Sequence, residues 1–252
     1  MRATYKNEQI KLMITIRSNN MIYGISNKKG NKKVYTLTPR TLLVYEKKLS
    51  EIFGNINMLV VDAKDGYSVL PMLRRGHNVE CYETNDILIN GGVIDGFKTN
   101  GLISKIINEK LEHNFKLYKE NFYDCRVKKE YDFVYSYRSL HLKENSDIPK
   151  YRKIRKLQSS VKEGGYIYIF YYMYDSDNLN NENSYFKSYE MKSYFDTDKW
   201  DILYCIENHK RVHGPHIYNN KVHYHKTGTI FAKKKYSRRK SVCKYHYNIK
   251  FF

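Results

Sequence analysis

Glu83 closes the stretch Asn57–Asn85, NMLVVDAKDGYSVLPMLRRGHNVECYETN, where residue types and spacing point most directly to chemistry. A carboxylate at the end of a buried strand has little packing reason to be there. It can, however, accept hydrogen bonds from both hydroxyls of a ribose. The same stretch supplies the rest of such a site. Met58–Val61 is an apolar run of strand length, and Asp65-Gly66 signals a turn. Val69, Leu70, Met72 and Leu73 have helical spacing, Gly76 stops the helix, and Val79–Tyr82 reads as a second strand. Strand, turn, helix and strand form the unit that binds nucleotides in open α/β sheets, with the phosphate or sugar edge at the helix N-terminus. The expected chemistry is recognition of a nucleoside-containing cofactor.

The elements around this unit are read from punctuation and periodicity. A helix is predicted over about Thr38–Phe53, with Thr38 as N-cap and Pro39 in the favoured first turn. A second covers Ser104–Lys110, after turns at Asn90-Gly91-Gly92 and Asn100-Gly101. A third spans Ile148–Val161 and ends in Lys162–Gly165, before a strand over Tyr166–Tyr172. Asn178–Ser184 is a polar loop, and Asp201–Glu207 with Thr227–Ala232 look like a closing antiparallel pair. Ahead of all this, Ile10, Leu12, Ile14 and Ile16 alternate. Their strand is expected to pair with Met21–Ile25 in a hairpin turning at Ser18-Asn19-Asn20.

The Asn57–Asn85 stretch resembles motifs I and II of the Rossmann-like S-adenosylmethionine-dependent methyltransferases, and among them the tellurite-resistance (TehB-like) group. There a D-L-G-C-G-x-G turn is followed by a helix, a G-H/Y-x-V segment and an acid. Gly66, Arg75-Gly76-His77-Asn78-Val79 and Glu83 fall in ungapped register with that pattern. Further blocks follow in order. Tyr35–Arg40 resembles the entry to the helix before motif I, Glu130–Ser136 the "EYDFILS" strand, and Lys162–Tyr166 the "KPGGY" turn. The segments Phe186–Leu203, Glu207–Val222 and Thr229–Lys234 resemble "FKEGEL…W", "E…LH…NGNRI" and "ATLIAKK".

The resemblance covers about residues 34–235. It implies an α/β fold: a seven-stranded, mostly parallel sheet with helices on both faces and a C-terminal antiparallel hairpin. Residues 1–33 become an N-terminal extension and residues 236–252 a basic tail. It implies S-adenosylmethionine as cofactor, held by Asp62, Lys64, Gly66, Glu83, Thr84, Asn121, Phe122, Ser136 and Tyr137. His213, in the "LH" position, and Lys221, in the basic position of "NGNR", would act on the acceptor as an orienting or proton-accepting imidazole and an anion-holding ammonium.

The register also shows departures. Val60 stands at the motif I aspartate, and Asp62 and Lys64 at the first two glycines, where a Cβ meets the cofactor or forces an unfavourable turn. A two-residue deletion would instead align Asp62 with the aspartate, at a shortened turn. Asn121 stands where the family has an aspartate against the adenine. A lysine at position 64 repels the cofactor's cationic groups unless it pairs with the cofactor's carboxylate. The alternative function is thus a degenerate methyltransferase-fold protein acting as a nucleic-acid-binding or regulatory module.

Composition sets the outer bounds. The chain of 252 residues has 45 Lys+Arg against 26 Asp+Glu, a net charge of +19, which suits an anionic partner. Abundant Lys, Asn, Ile and Tyr also reflect the codon bias of an AT-rich genome. Basic residues gather in Lys233-Lys234-Lys235, Arg238-Arg239-Lys240 and Lys244, a tail that suits polyanion contact. The methyl acceptor is therefore a small oxyanion, a small metabolite or a nucleic acid. Cys81, Cys125, Cys205 and Cys243 form no CxxC pair, as expected of a reduced, cytoplasmic chain. Met1–Tyr23 is too polar for a signal peptide, and the longest apolar run, Tyr166–Tyr174, is too short to span a bilayer. His209, His213, His216, His223 and His225 beside Cys205 match no standard zinc spacing, and no metal is expected.

Overall fold

The structure is a computed structural model that describes residues 40–94, 97–127, 129–142, 145–174, 185–213 and 223–237. The expected N-terminal hairpin, the Thr38-Pro39 cap, the loop Asn178–Ser184, Lys221 and most of the basic tail lie outside the described residues. In chain order the elements are α1 (Arg40–Phe53), β1 (Asn57–Val61), α2 (Leu70–Leu73), β2 (Asn78–Tyr82), α3 (Asp86–Asn90), β3 (Gly92–Ile94), β4 (Phe97–Thr99) and α4 (Leu102–Asn108). There follow β5 (Phe115–Tyr118), β6 (Tyr131–Tyr137), α5 (Lys150–Ser159), β7 (Val161–Tyr172), α6 (Glu190–Ser193), β8 (Trp200–His213) and β9 (His223–Lys234).

Seven strands form one sheet in the order β5-β2-β1-β6-β7-β9-β8, and β3 and β4 form a separate two-stranded hairpin. The first five strands of the large sheet are parallel; β9 runs antiparallel to β7, and β8 antiparallel to β9. This is the seven-stranded α/β sheet with a C-terminal antiparallel pair that the sequence leads one to expect. β1 pairs with β2 on one side and with β6 on the other. The strand order therefore reverses at β1, and a crevice opens beyond the carboxyl ends of β1 and β6.

The central strands are apolar throughout because both faces are covered. Met58 and Val60 of β1 join one buried cluster with Leu42 and Leu49 of α1, Leu70 and Leu73 of α2, and Leu102 and Ile106 of α4. Leu59 and Val61 face the other way, into a cluster with Ile154 and Leu157 of α5, Phe186, Met191 and Trp200. Trp200, at the start of β8, packs edge-on against Phe195 at 5.3 Å between ring centres. Tyrosines take over much of the first cluster: Tyr135 stacks on Tyr168 at 5.1 Å, and Tyr45 on Phe231 at 4.3 Å.

Buried polar pins fix the lower ends of these strands. The amide of Asn57 donates to Asp132 Oδ2 at 2.7 Å, and Lys162 pairs with the same carboxylate. His77 Nδ1 accepts from the amide of Ile56 at 3.3 Å, so its Nε2 carries the proton and donates to Glu46 of α1 at 2.8 Å. The histidine of the "GH" segment is thus a clasp between α1 and the turn before β2.

Four features differ from expectation. Lys162–Gly165 does not end a helix but lies inside β7. The pairing with β6 jumps from Tyr131↔Val161 to Phe133↔Tyr166, and Gly164 takes a φ of 75° within the bulge. The helix before it is shorter, Lys150–Ser159, starting after Pro149. β5 and the β3–β4 hairpin, whose residues carry no clear alternation, are additions to the expected elements. No helix among the described residues is long and apolar enough to cross a membrane.

Candidate functional site

The turn from β1 to α2 is held from both strands. The amides of Asp62 and Ala63 both donate to the carbonyl of Tyr82, at 3.0 and 3.1 Å, which carries the chain sideways over the end of β2. Asp62 and Lys64 then take φ values of 71° and 54°, and Gly66 one of 96°. The left-handed region costs a non-glycine residue roughly 1–2 kcal/mol. Two side-chain-bearing residues thus follow a backbone path that glycines follow freely. A Cβ at Gly66 would lie 2.7 Å from Leu102 Cδ1, the end of a side chain that would have to shift, so its φ is what chiefly favours glycine there. Lys105 of α4 closes the turn from above, its ammonium 2.7 Å from both the carbonyl and Oδ2 of Asp65.

Glu83 is the centre of the arrangement. Only 3% exposed, it receives three backbone amides: Lys64 at 2.7 Å on Oε2, and Thr84 and Asn85 at 3.0 and 2.9 Å on Oε1. Lys64 sends its ammonium back to Asp62 Oδ2 at 3.0 Å, with the two side chains 23% and 10% exposed. Beyond these groups lies a cavity of about 20 Å³ whose walls include Asp62, Glu83, Thr84, Asn121, Phe122 and Ser139. That is room for about one water, against the roughly 300–1,000 Å³ of ordinary ligand pockets.

Five of the nine expected cofactor residues, Asp62, Glu83, Thr84, Asn121 and Phe122, therefore meet in one place. Asn121 Oδ1 accepts from the amide of Tyr123 at 3.0 Å, and its Nδ2 donates to Asp124 and to Asn145 Oδ1 at 2.8 and 2.9 Å. Phe122 is buried, edge-on to Tyr82. Ser136 reaches the cavity at one remove: its Oγ is 2.6 Å from Ser139 Oγ, which is 2.8 Å from the Tyr123 hydroxyl. Burial pushes the Tyr123 hydroxyl well above its ordinary value, so it stays protonated in this chain of hydroxyls. Tyr137 belongs to the opposite face of the sheet, edge-on to Tyr67 of the turn at 6.1 Å.

Of the two acceptor residues, His213 is not brought to this place. His213 ends β8, opposite His223 of β9. Since β6, β7 and β9 lie between β1 and β8, the strand axes are roughly 19 Å apart at four inter-strand spacings. Lys221 lies outside the described residues. Among the described residues no group of three or more His, Cys, Asp or Glu could hold a metal ion. Tyr123, Ser139 and Asn145 were not anticipated. Ser139 was within reach of sequence reasoning, as a small polar residue just past the carboxyl end of a strand beside the switch point. Tyr123 and Asn145 carry no such signal.

No protein-family model matches the sequence, and no curated protein matches it. Solved structures do match. TehB from Haemophilus influenzae superposes with a TM-score of 0.56 at 19% identity, covering 76% of this chain and 62% of that one. This chain thus spans less than two thirds of the TehB chain. The [4+2]-cyclase SpnF gives 0.54 at 11% identity over 90% and 93%. The N-methyltransferase NodS from Bradyrhizobium japonicum, in complex with S-adenosyl-L-homocysteine, gives 0.50 at 9% over 78% and 87%. At these identities the likeness is one of fold: the chain has the Rossmann-like fold of the methyltransferases.

The residues at the crevice fit a ribose-bearing cofactor in chemistry, with a carboxylate for a diol, an amide side chain at Asn121 and an aromatic wall at Phe122. The cavity beside them, about 20 Å³, is far smaller than such a cofactor needs.

Proposed function

We propose that the chain is a methyltransferase that takes its methyl group from S-adenosylmethionine, held at the carboxyl ends of β1, β2 and β6. The observation that carries this reading is the backbone of the turn. Asp62 and Lys64 keep positive φ at the two positions where the resembled motif has glycine, and strain kept at a strand end beside a switch point is a mark of function. Glu83 supports it, standing at the end of β2 within bonding distance of the turn. Glu83 would take the ribose hydroxyls, and Asn121 with Phe122 the base. The cofactor's sulfonium supplies an already activated methyl group, so the chain's own task is to align the acceptor and exclude water. The acceptor is a small oxyanion, a small metabolite or a nucleic acid.

Calorimetric titration with S-adenosylmethionine and S-adenosyl-L-homocysteine tests the reading, with heat expected below millimolar ligand; no heat at millimolar ligand sinks it. A salt-dependent shift with RNA or DNA that survives removal of residues 236–252 identifies a nucleic-acid acceptor. Loss of the shift on that removal assigns polyanion contact to the basic tail.

A second reading draws on the smallness of the cavity and on Glu83 being engaged by three amides. In it the chain keeps the fold as a binding or regulatory module without methyl transfer. SpnF, a [4+2]-cyclase with the same fold, is consistent with reactions other than methylation on this scaffold. A folded protein without cofactor binding would favour it.

A further inference from the structure

We infer that the outward face of α5, with Arg126 of the neighbouring turn, is a docking surface for single-stranded nucleic acid beside the crevice at Glu83. That a strand docked there is the methyl acceptor rests on the methyl-transfer reading; the docking surface itself does not.

α5 carries five cations in its first seven residues, Lys150, Arg152, Lys153, Arg155 and Lys156, and no acid. Like charges three and four positions apart repel along a helix, and the fold engages three of them. Lys150 pairs with Glu190 at 2.8 Å. Lys153 is buried with its ammonium on the carbonyl of Leu140, and Lys156 bonds the carbonyl of Cys125 in the field of Asp124 and Glu120. Arg152 and Arg155 are left exposed on one face, three positions apart. Arg126, next in the chain to Cys125, is exposed as well. Arg74 and Arg75 pair with Glu109 and Glu46, whereas Arg126, Arg152 and Arg155 have no carboxylate partner among the described residues. A guanidinium free of an acid suits a phosphate, which it can hold through two hydrogen bonds at once.

An aromatic ring completes the face. Tyr151, four positions before Arg155, is 45% exposed. Arg152 lies along it, Nε donating to the hydroxyl at 3.2 Å and the guanidinium 5.9 Å from the ring centre. Cations beside an exposed ring hold single strands, the phosphates on the charges and a base on the ring. A duplex keeps its bases stacked inside and has none to offer. Lys156 joins this face to the crevice: its ammonium lies 5.2 Å from the centre of the Phe122 ring, and Phe122 lines the cavity beside Glu83.

Fluorescence anisotropy of labelled oligo(U) with the full chain, over a salt series, tests the inference. The double variant Arg152→Gln, Arg155→Gln removes two charges from α5; Arg238→Gln, Arg239→Gln removes two from the tail as a charge-matched control. At low salt the α5 variant should bind about tenfold more weakly, with the tail variant losing clearly less. The slope of log affinity against log salt should become shallower by about 1.4 in the α5 variant, at about 0.7 per phosphate contact on a single strand. Tyr151→Ala should lose about fivefold or more, and Tyr151→Phe should keep the affinity. Thermal midpoints should hold or rise in the α5 variant, since repulsion along the helix is relieved.

Equal losses in the α5 and tail variants would reduce the effect to net charge and overturn the proposal. Tighter binding of a duplex than of oligo(U), or displacement of oligo(U) by polyglutamate of equal charge, would overturn it as well, the second assigning the face to an acidic protein. Titration with S-adenosyl-L-homocysteine separates the two readings. If the unsubstituted chain does not bind it while the α5 variant still loses oligo(U), the docking surface stands and the methyl-transfer reading falls. If it binds while the α5 variant keeps oligo(U), the methyl-transfer reading stands and the docking surface falls.

Discussion

The backbone amide of Lys64 lies 2.7 Å from Oε2 of Glu83, so the acid at the end of β2 is bonded to the turn that follows β1. The carboxylate is thus a structural keystone of the turn, holding amides from two segments. Replacing it by alanine strands three amide donors beside a small cavity. Leaving buried donors unmatched costs about 1–3 kcal/mol each before relaxation and water entry.

Glu83→Ala should therefore lower unfolding stability by about 3 kcal/mol, read from urea titration at neutral pH. Glu83→Gln, which keeps an acceptor oxygen, should lose about half of that. Where the variants stay folded, nucleoside affinity in Glu83→Ala should fall about thirtyfold, the loss of a charge-assisted contact of about 2 kcal/mol. Unchanged affinity would place the ribose elsewhere.

Lys110 offers a gain. It follows α4 with a φ of 55°, its amide bonded to the carbonyl of Ile107 and that of Leu111 to Ile106. This is the Schellman ending, whose left-handed position belongs to glycine. Lys110→Gly should raise the unfolding free energy by about 0.5–1 kcal/mol. A loss measured in the same denaturant series would show that the lysine side chain contributes more than its strained backbone costs.

Gly101 offers the opposite. Its φ is 74°, and a Cβ there would lie 2.3 Å from the amide nitrogen of Gly91 and 2.5 Å from the carbonyl carbon of Asn90. Backbone cannot yield as a side chain can. Gly101→Ala should cost about 3 kcal/mol or more and lower the thermal midpoint by several degrees. The damage should centre on α3, β3, β4 and α4, which hydrogen exchange can resolve.

Lys153 sets an alkaline signature. It is fully buried on α5, its ammonium 2.8 Å from the carbonyl of Leu140, and burial lowers its pKa from 10.5 to about 8. Between pH 8 and 10.5 the unfolded chain holds this proton more firmly than the folded one, so stability rises with pH across that window. Over pH 8–10 the rise should be on the order of 2 kcal/mol. The thiols of Cys81 and Cys205 and the hydroxyls of buried tyrosines such as Tyr45 and Tyr194, all raised by burial, act in the reverse sense as the pH rises. The lysine's contribution is therefore read as a difference: between pH 7.5 and 10 the unsubstituted protein should gain on the order of 2 kcal/mol relative to Lys153→Met in urea titrations.

The parallel half of the sheet was legible because its strands are continuous apolar runs bounded by glycine and acid. Met58–Val61 and Val79–Tyr82 differ from β1 and β2 by one residue at the start. β5 was not, since Phe115-Lys116-Leu117-Tyr118 on an edge mixes exposed and half-buried positions. Lys162–Gly165 misled because two glycines signal a turn as readily as a bulge, and the partner strand decides between them. At the site, Glu83 was readable from its place at a strand end. What it bonds to was not: the lysine whose amide it holds lies nineteen residues earlier, and only the folded turn brings the two together.

The chain has one tryptophan, and it sits at the start of β8, on the edge of the sheet farthest from β5. Trp200 is buried against Phe195 in a protein with 26 tyrosines, many of them stacked in the interior. Light absorbed by the tyrosines has a single indole to drain into, and that indole reports on the antiparallel edge. Loss of tyrosine-to-tryptophan energy transfer, with a red shift in emission, is thus an optical gauge of global unfolding. Events confined to the crevice at β1 and β2 should leave its emission unchanged, so occupancy of that crevice and integrity of the fold can be followed separately in one cuvette.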